Sequence, residues 1–183
     1  MKSGLTLLQM VLAGLAGGMA LLGLVGAAFS ADAQILLTLA FGLGALTLVR
    51  FVFQPVNFWL DGLAAVLIAT ALVLALPRGT VMPGHYWFGM GTAWAFAWLF
   101  VERLSAAIRR GTLPESGTGL VIPIIFGLSL LVIWEVITRG ADVSPVLLPA
   151  PSSIAARFAA STGILWADFV QTFVKSVLPG YAI

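Results

Sequence analysis

Ionisable side chains within apolar segments are the residues of this chain best suited to chemistry, and they are few. Nine Lys or Arg, seven Asp or Glu and one His stand among 183 residues. A charge inside a membrane segment is costly and is a functional candidate by default. Arg50 and Asp61 flank a turn between two apolar segments, and Glu135 precedes Arg139 by four residues, which places both on one helix face. We therefore predict two structural ion pairs, Arg50 with Asp61 and Glu135 with Arg139.

Catalytic and metal-binding residue types do not combine into a site. The chain has no cysteine, which excludes disulfides, cysteine-ligated metals and thiol catalysis. The single histidine, His85, stands beside Tyr86 with no carboxylate near it in sequence, and we interpret it as a residue of the membrane interface rather than a ligand. No Gly-x-x-x-x-Gly-Lys-Ser/Thr sequence is present to cradle a phosphate. The sequence predicts no catalytic, cofactor-binding or metal-binding residue, no cofactor, and a chain that is not an enzyme by itself.

The composition is that of an integral membrane protein. Hydrophobic residues make up 61% of the chain and charged residues 9%, whereas soluble domains average about 45–50% apolar and about 25% charged residues. The mean hydropathy is +1.09. The net charge of +2 is dispersed, with no basic run, which argues against nucleic acid as a partner and leaves membrane lipids as the expected surroundings.

Five apolar stretches qualify, or nearly qualify, as helices across a hydrocarbon core of about 30 Å. They cover approximately residues 5–29, 33–53, 58–76, 85–103 and 120–137. The runs are continuous rather than alternating, and lipid offers no partner for free backbone groups, so helices are favoured over barrel strands. We predict an all-α polytopic membrane protein with about five transmembrane helices. Because Pro55 ends the second stretch, the second and third helices are expected to form a tight antiparallel hairpin.

The first stretch has flanks similar to those of a secretory signal. Lys2 precedes it, and Ala31-Asp32-Ala33 offers small residues for cleavage. The apolar run from Leu5 to Phe29 exceeds the ~7–15 residues of a signal core, so we interpret it as a retained transmembrane helix. Its Gly14-x-x-x-Gly18 spacing permits close helix packing in lipid, although a Gly-rich span without such a contact is the simpler alternative.

The fourth stretch is aromatic. Tyr86 and Trp87 are expected at the outer headgroup level. Trp94 and Trp98 are four residues apart and share one helix face. That face could hold a pigment, a lipid or a partner helix, or it could be ordinary lipid-facing surface.

The distribution of Lys and Arg between the loops predicts the orientation. With a cytoplasmic N-terminus, the inner loops carry Lys2, Arg50, Arg103, Arg109 and Arg110, and the outer segments carry Arg78, Arg139 and Arg157. The cluster of three arginines before the fifth helix is the strongest anchor. It places residues 143–158 on the periplasmic side.

A proline-bounded segment follows the fifth helix. The helix ends with Trp134-Glu135, and the later order is Leu148-Pro149-Ala150-Pro151-Ser152. We expect an extended stretch from Pro145, then a short amphipathic helix beginning at Ile154 and capped by Ser152 or Ser153. The residues from Leu165 onward read as the start of a sixth helix. Its apolar stripe is Trp166, Phe169, Phe173 and Val177, and Pro179-Gly180 is expected to interrupt it.

This order resembles the N-terminal end of the permease subunit of binding-protein-dependent ABC transporters of the nitrate/sulfonate/taurine type. In that family a first membrane helix ending in Trp-Glu leads to a Leu-Pro-x-Pro-Ser stretch and a short interfacial helix. The matching residues are Trp134, Glu135, Leu148, Pro149, Pro151 and Ser152. The resemblance covers residues 120–183. We therefore divide the chain into a four-helix transmembrane extension (1–110), a cytoplasmic linker (111–119) and a permease-like segment (120–183).

The resemblance implies a subunit of an importer for a small solute in a bacterial inner membrane. Its partners would be a cytoplasmic ATPase, a periplasmic binding protein and a second permease. The Glu-Ala-Ala-type motif of the family's coupling helix does not occur between Met1 and Ile183, so the 183-residue form is expected neither to recruit an ATPase nor to transport. The alternative is a non-catalytic accessory subunit that packs against a larger membrane complex. A reading frame continuing past Ile183 would favour the permease, and a stop codon there the accessory subunit.

Overall fold

The computed structural model describes residues 6–29, 38, 40–45, 57–76 and 82–182. All regular secondary structure in these residues is helical, which confirms the predicted all-α class. The elements are α1 (Leu7–Ala28), α2 (Trp59–Ala75), α3 (Gly84–Arg109), α4 (Glu115–Gly140), α5 (Pro151–Ala160), α6 (Thr162–Phe169), a π-helix (Val170–Val177) and α7 (Leu178–Ala182). The chain divides into two compact units, Met1–Val143 with α1 to α4 and Ser144–Ile183 with the rest. The predicted module boundary at residues 111–119 stays a prediction.

Local sequence signals begin the helices of the first unit. The Gln9 N–H donates to Thr6 Oγ1 at 3.3 Å and the Thr6 N–H to Gln9 Oε1 at 3.3 Å, a capping box at the start of α1. The Asn57 side chain accepts a hydrogen bond from the Trp59 N–H at 3.2 Å as α2 begins. α3 and α4 each follow a proline, Pro83 and Pro114. Both run beyond their predicted apolar spans because hydropathy marks only the apolar part of a helix with polar ends.

The predicted second helix, residues 33–53, lies mostly outside the described residues. Its described part, residues 40–45, is helical and lies among α1, α2 and α3. Gly44 there faces Ala20, Ile68 and Phe96. The turn at Pro55 is also outside the described residues, so the hairpin stays a prediction.

Helix α3 is central to the first unit. It packs along α1 and α2, and α4 contacts α2 and α3 less extensively. The best-buried core side chains include Leu12, Ile68, Leu72, Phe96 and Leu99. Helices α2 and α3 run antiparallel, since Asp61 near the start of α2 meets Arg103 near the end of α3.

Small residues on α1 allow neighbouring parts of the chain to approach it closely. Its buried face carries Ala13, Ala16, Ala20, Gly23 and Ala27. A Cβ on Gly23 would lie 2.2 Å from Phe41 Cε1. Nothing lies within 4 Å of a Cβ placed on Gly14 or Gly18, so the packing predicted for this pair is not made within the described chain. Both faces of α1 carry small residues, and the spacing alone does not say which one is buried.

Two described helices are long and apolar enough to cross a membrane, Leu7–Ala28 and the Thr118–Gly140 part of α4. α2 is apolar but shorter, with 17 residues. α4 contains Pro123, and about half of its large apolar side chains are exposed. The number of five spans stays a prediction.

The second unit differs in detail from its prediction. α5 begins at Pro151, and its N-cap is Ala150 with no side-chain cap hydrogen bond, so the predicted cap by Ser152 or Ser153 is wrong. Proline is favoured at this first position because its fixed φ suits a helix start. The N–H groups of Leu147 and Leu148 both donate to the Ser144 carbonyl, at 2.9 and 3.1 Å, so a turn replaces the expected extended stretch.

The sixth predicted helix is present as α6, the π-helix and α7. Its aromatic stripe forms a column, with ring centroids 5.6 Å apart for Trp166 and Phe169 and 5.2 Å for Phe169 and Phe173. The expected interruption at Pro179-Gly180 is wrong, because α7 continues through both residues to Ala182.

Candidate functional site

A buried ion pair joins α2 to α3. Arg103 Nη1 donates to Asp61 Oδ2, and the two side chains are 14% and 3% exposed. Arg50, the partner predicted for Asp61, lies outside the described residues, so that pairing stays a prediction. Arg103 was not predicted as the partner because it is distant from Asp61 in sequence, whereas Arg50 lies across the nearest turn. If α2 and α3 are antiparallel, the end of α3 lies beside the start of α2, and this would have indicated Arg103.

Three aromatic rings form a cluster near this ion pair in sequence, on the same two helix ends. The Phe100 ring lies 5.9 Å from Phe58 and 5.7 Å from Trp59, measured between ring centroids. A Cβ on Gly62 would come within 3.0 Å of Phe100, so α2 and α3 lie in close contact here. A buried charge left without its partner typically costs about 3–5 kcal/mol. The pair therefore fixes the register of α2 against α3.

A second polar cluster lies at the other end of α2. Arg139 Nη1 donates to Glu135 Oε1 at 3.0 Å, which confirms the predicted pair. Arg139 also donates to the carbonyls of Val73 at 3.4 Å and Leu76 at 3.2 Å. Carbonyls at a helix C-terminus lack intrahelical partners, and here a side chain of α4 satisfies them. This bridging role was not apparent from the sequence.

Two residues assigned to the membrane interface lie inside the unit. His85 and Tyr86 are 6% and 2% exposed, and the Tyr86 hydroxyl donates to the Ala75 carbonyl at 2.8 Å. The Met82 N–H donates to the Gly140 carbonyl at 2.8 Å, which ties the chain before α3 to the end of α4. These contacts join the ends of helices, and the interfacial position predicted for His85 and Tyr86 stays a prediction.

An apolar groove of about 680 Å³ lies among α2, α3 and α4, between these two ion pairs. Small residues form much of its lining: Gly62, Ala65, Ala69, Ala93 and Ala97. Larger, exposed side chains also line it: Trp59, Leu63, Val66, Leu74, Trp94 and Leu128. Thr70 and Ser129 contribute the hydroxyl groups. We define these residues, with the others that line the cavity, as the interhelical groove.

The predicted shared face of Trp94 and Trp98 is confirmed, with ring centroids 5.4 Å apart. Only Trp94 of this pair lines the interhelical groove. Both indoles are about half exposed. A ligand in the groove would therefore contact Trp94 and not Trp98.

The groove is suited to binding apolar groups rather than to acid–base chemistry. No charged side chain is among its lining residues in the described chain. Its volume falls in the ~300–1,000 Å³ range of small-molecule and cofactor sites. Within the residues that the structure describes, no three His, Asp or Glu side chains are grouped to hold a metal ion.

No protein-family model matches the chain, and no curated protein or solved structure matches it. A functional assignment therefore depends on the residues and the geometry given above.

Proposed function

We propose that the chain is a multi-pass protein of a bacterial inner membrane, with a cytoplasmic N-terminus. The distribution of its apolar and charged side chains supports this. Leu15, Leu22, Phe126 and Leu130 are at least half exposed on α1 and α4, although soluble proteins rarely expose large continuous apolar surfaces. The charges of Asp61 and Glu135 are buried and paired, as lipid surroundings require.

Within the membrane, the chain acts as a permease subunit, or the N-terminal part of one, of a binding-protein-dependent ABC importer for a small solute. The observation that carries this proposal is the order of elements after residue 114. An apolar helix ends just beyond Trp134-Glu135, a turn at Pro145 follows, and Pro151 begins a short helix with Ile154 and Phe158 exposed. A further long helical stretch then begins at Thr162. This is the element order that the permease resemblance implies.

An accessory subunit of a larger membrane complex is the second candidate. The Gly14 and Gly18 positions of α1 favour it, because no atom of the described chain lies within 4 Å of a Cβ placed on either of them, and glycines of this spacing let a neighbouring helix approach closely. In this function the chain contributes contacts and no chemistry.

Purification of the tagged protein from its native membranes, as the gene encodes it, distinguishes the two candidates. Resistance of the protein to alkaline carbonate extraction is expected for both. The permease proposal expects stoichiometric co-purification of a nucleotide-binding ATPase and ATP hydrolysis that a periplasmic binding protein stimulates. A stable complex that contains neither component would replace the permease with the accessory subunit. Release of the protein by carbonate would contradict both.

A further inference from the structure

We propose that the interhelical groove binds one acyl chain of a membrane phospholipid, whose phosphate lies toward the Arg109 end of α3. The inference rests on the membrane location proposed above but not on the permease activity. It assigns a ligand class to the groove, and it selects one of the occupants considered for the Trp94 face.

The groove is long and apolar. Along α2 it extends from Trp59 to Leu74, about 22 Å at a rise of ~1.5 Å per residue. An acyl chain is a linear hydrocarbon that can lie along a groove of this length and contact its lining at ~3.5–4.0 Å.

The charges around the groove are complementary to a lipid. Along its length no lining residue is charged, and the ion pairs at its two ends, Asp61–Arg103 and Glu135–Arg139, are internally neutral. The part of the ligand inside the groove is therefore uncharged. Beyond Phe100, α3 continues for about 13 Å to Arg109, at ~1.5 Å per residue.

The end of α3 offers basic groups at headgroup distance. Arg109 is 66% exposed and lies 3.7 Å from Glu102, a long contact that leaves its guanidinium accessible. Arg110 is the next residue and is also exposed. The other acidic residue nearby in sequence is Glu115, where α4 begins. Basic sites between membrane helices on the cytoplasmic side bind lipid headgroups, and the predicted orientation places this end there.

The groove is also open to its surroundings. Val66 and Leu74 on its rim are 62% and 70% exposed. An open apolar groove in a bilayer fills with hydrocarbon, because lining atoms without a neighbour would lose their dispersion contacts. Phospholipid is the hydrocarbon present at highest concentration there.

Tryptophan fluorescence with brominated phospholipid tests the proposal, because bromine on an acyl chain quenches only indoles that it touches. The full chain is purified in detergent, and brominated phosphatidylglycerol is added at limiting amounts. In the Trp94 reporter the other five tryptophans are replaced by phenylalanine: Trp59→Phe, Trp87→Phe, Trp98→Phe, Trp134→Phe and Trp166→Phe. The matched Trp166 reporter keeps only Trp166, which is 65% exposed in the second unit.

We expect saturable quenching of the Trp94 reporter at about one lipid per chain. The Trp166 reporter should be quenched only in proportion to the total lipid. Parallel, non-saturating quenching of both reporters would overturn the proposal. If it occurs in a protein that resists carbonate extraction, the membrane location stands and only the lipid site fails.

Substitutions at the rim of the groove give a second test. Val66→Phe narrows the groove, and Leu67→Phe on the same helix is the control, since Leu67 is exposed but does not line it. Val66→Phe should abolish the saturable phase in the Trp94 reporter, and Leu67→Phe should leave it unchanged. Equal effects of the two substitutions would contradict the groove as the site.

A double substitution at the end of α3 tests the position assigned to the phosphate. Arg109→Gln with Arg110→Gln should raise the half-saturating lipid concentration about 25-fold, at about fivefold for each of the two basic residues near a phospholipid surface. The quenching at saturation should not change. An unchanged half-saturation would overturn the position assigned to the phosphate.

Discussion

The Asp61–Arg103 ion pair is a residue-scale feature that ties α2 to α3. Asp61 is almost fully buried, and Arg103 reaches it from the neighbouring helix. Loss of one partner leaves a charge in apolar surroundings, whereas loss of both removes the attraction and the desolvation cost together.

A double-mutant cycle measures this dependence. Asp61→Asn and Arg103→Gln should each lower the free energy of unfolding by about 3–5 kcal/mol. The double variant should lose less than the sum of the two, with a coupling energy of about 0.5–3 kcal/mol. Reversible unfolding in mixed detergent micelles gives these free energies.

The same cycle with Arg50→Gln in place of Arg103→Gln is the control. Arg50 was the partner expected from sequence and lies outside the described residues. A coupling energy between Asp61 and Arg50, with none between Asp61 and Arg103, would contradict the Asp61–Arg103 ion pair.

At the scale of elements, the two glycine-bearing faces of α1 have different roles. The Gly23 face is filled by Phe41, whereas no atom of the part of the chain that the structure describes lies within 4 Å of a Cβ placed on Gly14. The same substitution at the two positions therefore has opposite consequences.

Gly23→Ala should destabilise the first unit by about 1–3 kcal/mol, because its Cβ overlaps the buried Phe41 ring. Gly14→Ala should stabilise it by about 0.5–1 kcal/mol, since alanine loses less conformational entropy in a helix. The free energy of unfolding in micelles measures both. Destabilisation by Gly14→Ala would show that this face is already packed.

The elements were more predictable than their contacts. Apolar run length located α1, α2, α3 and α4, because the length and composition of an apolar run do not depend on how the helices pack. It did not show that the end of α3 reaches Asp61, or that Arg139 satisfies carbonyls of α2, because both depend on how the helices pack. The groove was not predictable either. Its alanines and glycines read as ordinary helix residues until three helices are placed side by side.

The predicted start of α5 was wrong for a local reason. Ser152 and Ser153 were expected to cap α5, but Pro151 begins the helix and moves the cap to Ala150. A proline at the first helical position competes with a serine cap one residue later, and its fixed φ decides the start.

For the whole molecule, the central claim is that α4 crosses the bilayer and separates a cytoplasmic loop from a periplasmic segment. Its Thr118–Gly140 part is long and apolar enough to cross. The arginines Arg103, Arg109 and Arg110 precede it, and the Pro151 helix follows it. The positive-inside rule then sets the direction.

Single-cysteine accessibility tests this claim most directly, because the natural chain contains no cysteine. Thr112→Cys and Ser153→Cys place one thiol on each side of α4, and both positions are exposed. With a membrane-impermeant maleimide on intact spheroplasts, the account predicts labelling of Ser153→Cys at once and of Thr112→Cys only after the membrane is opened. Labelling of Thr112→Cys alone would invert the topology, and equal labelling of both in intact spheroplasts would contradict a membrane-spanning α4.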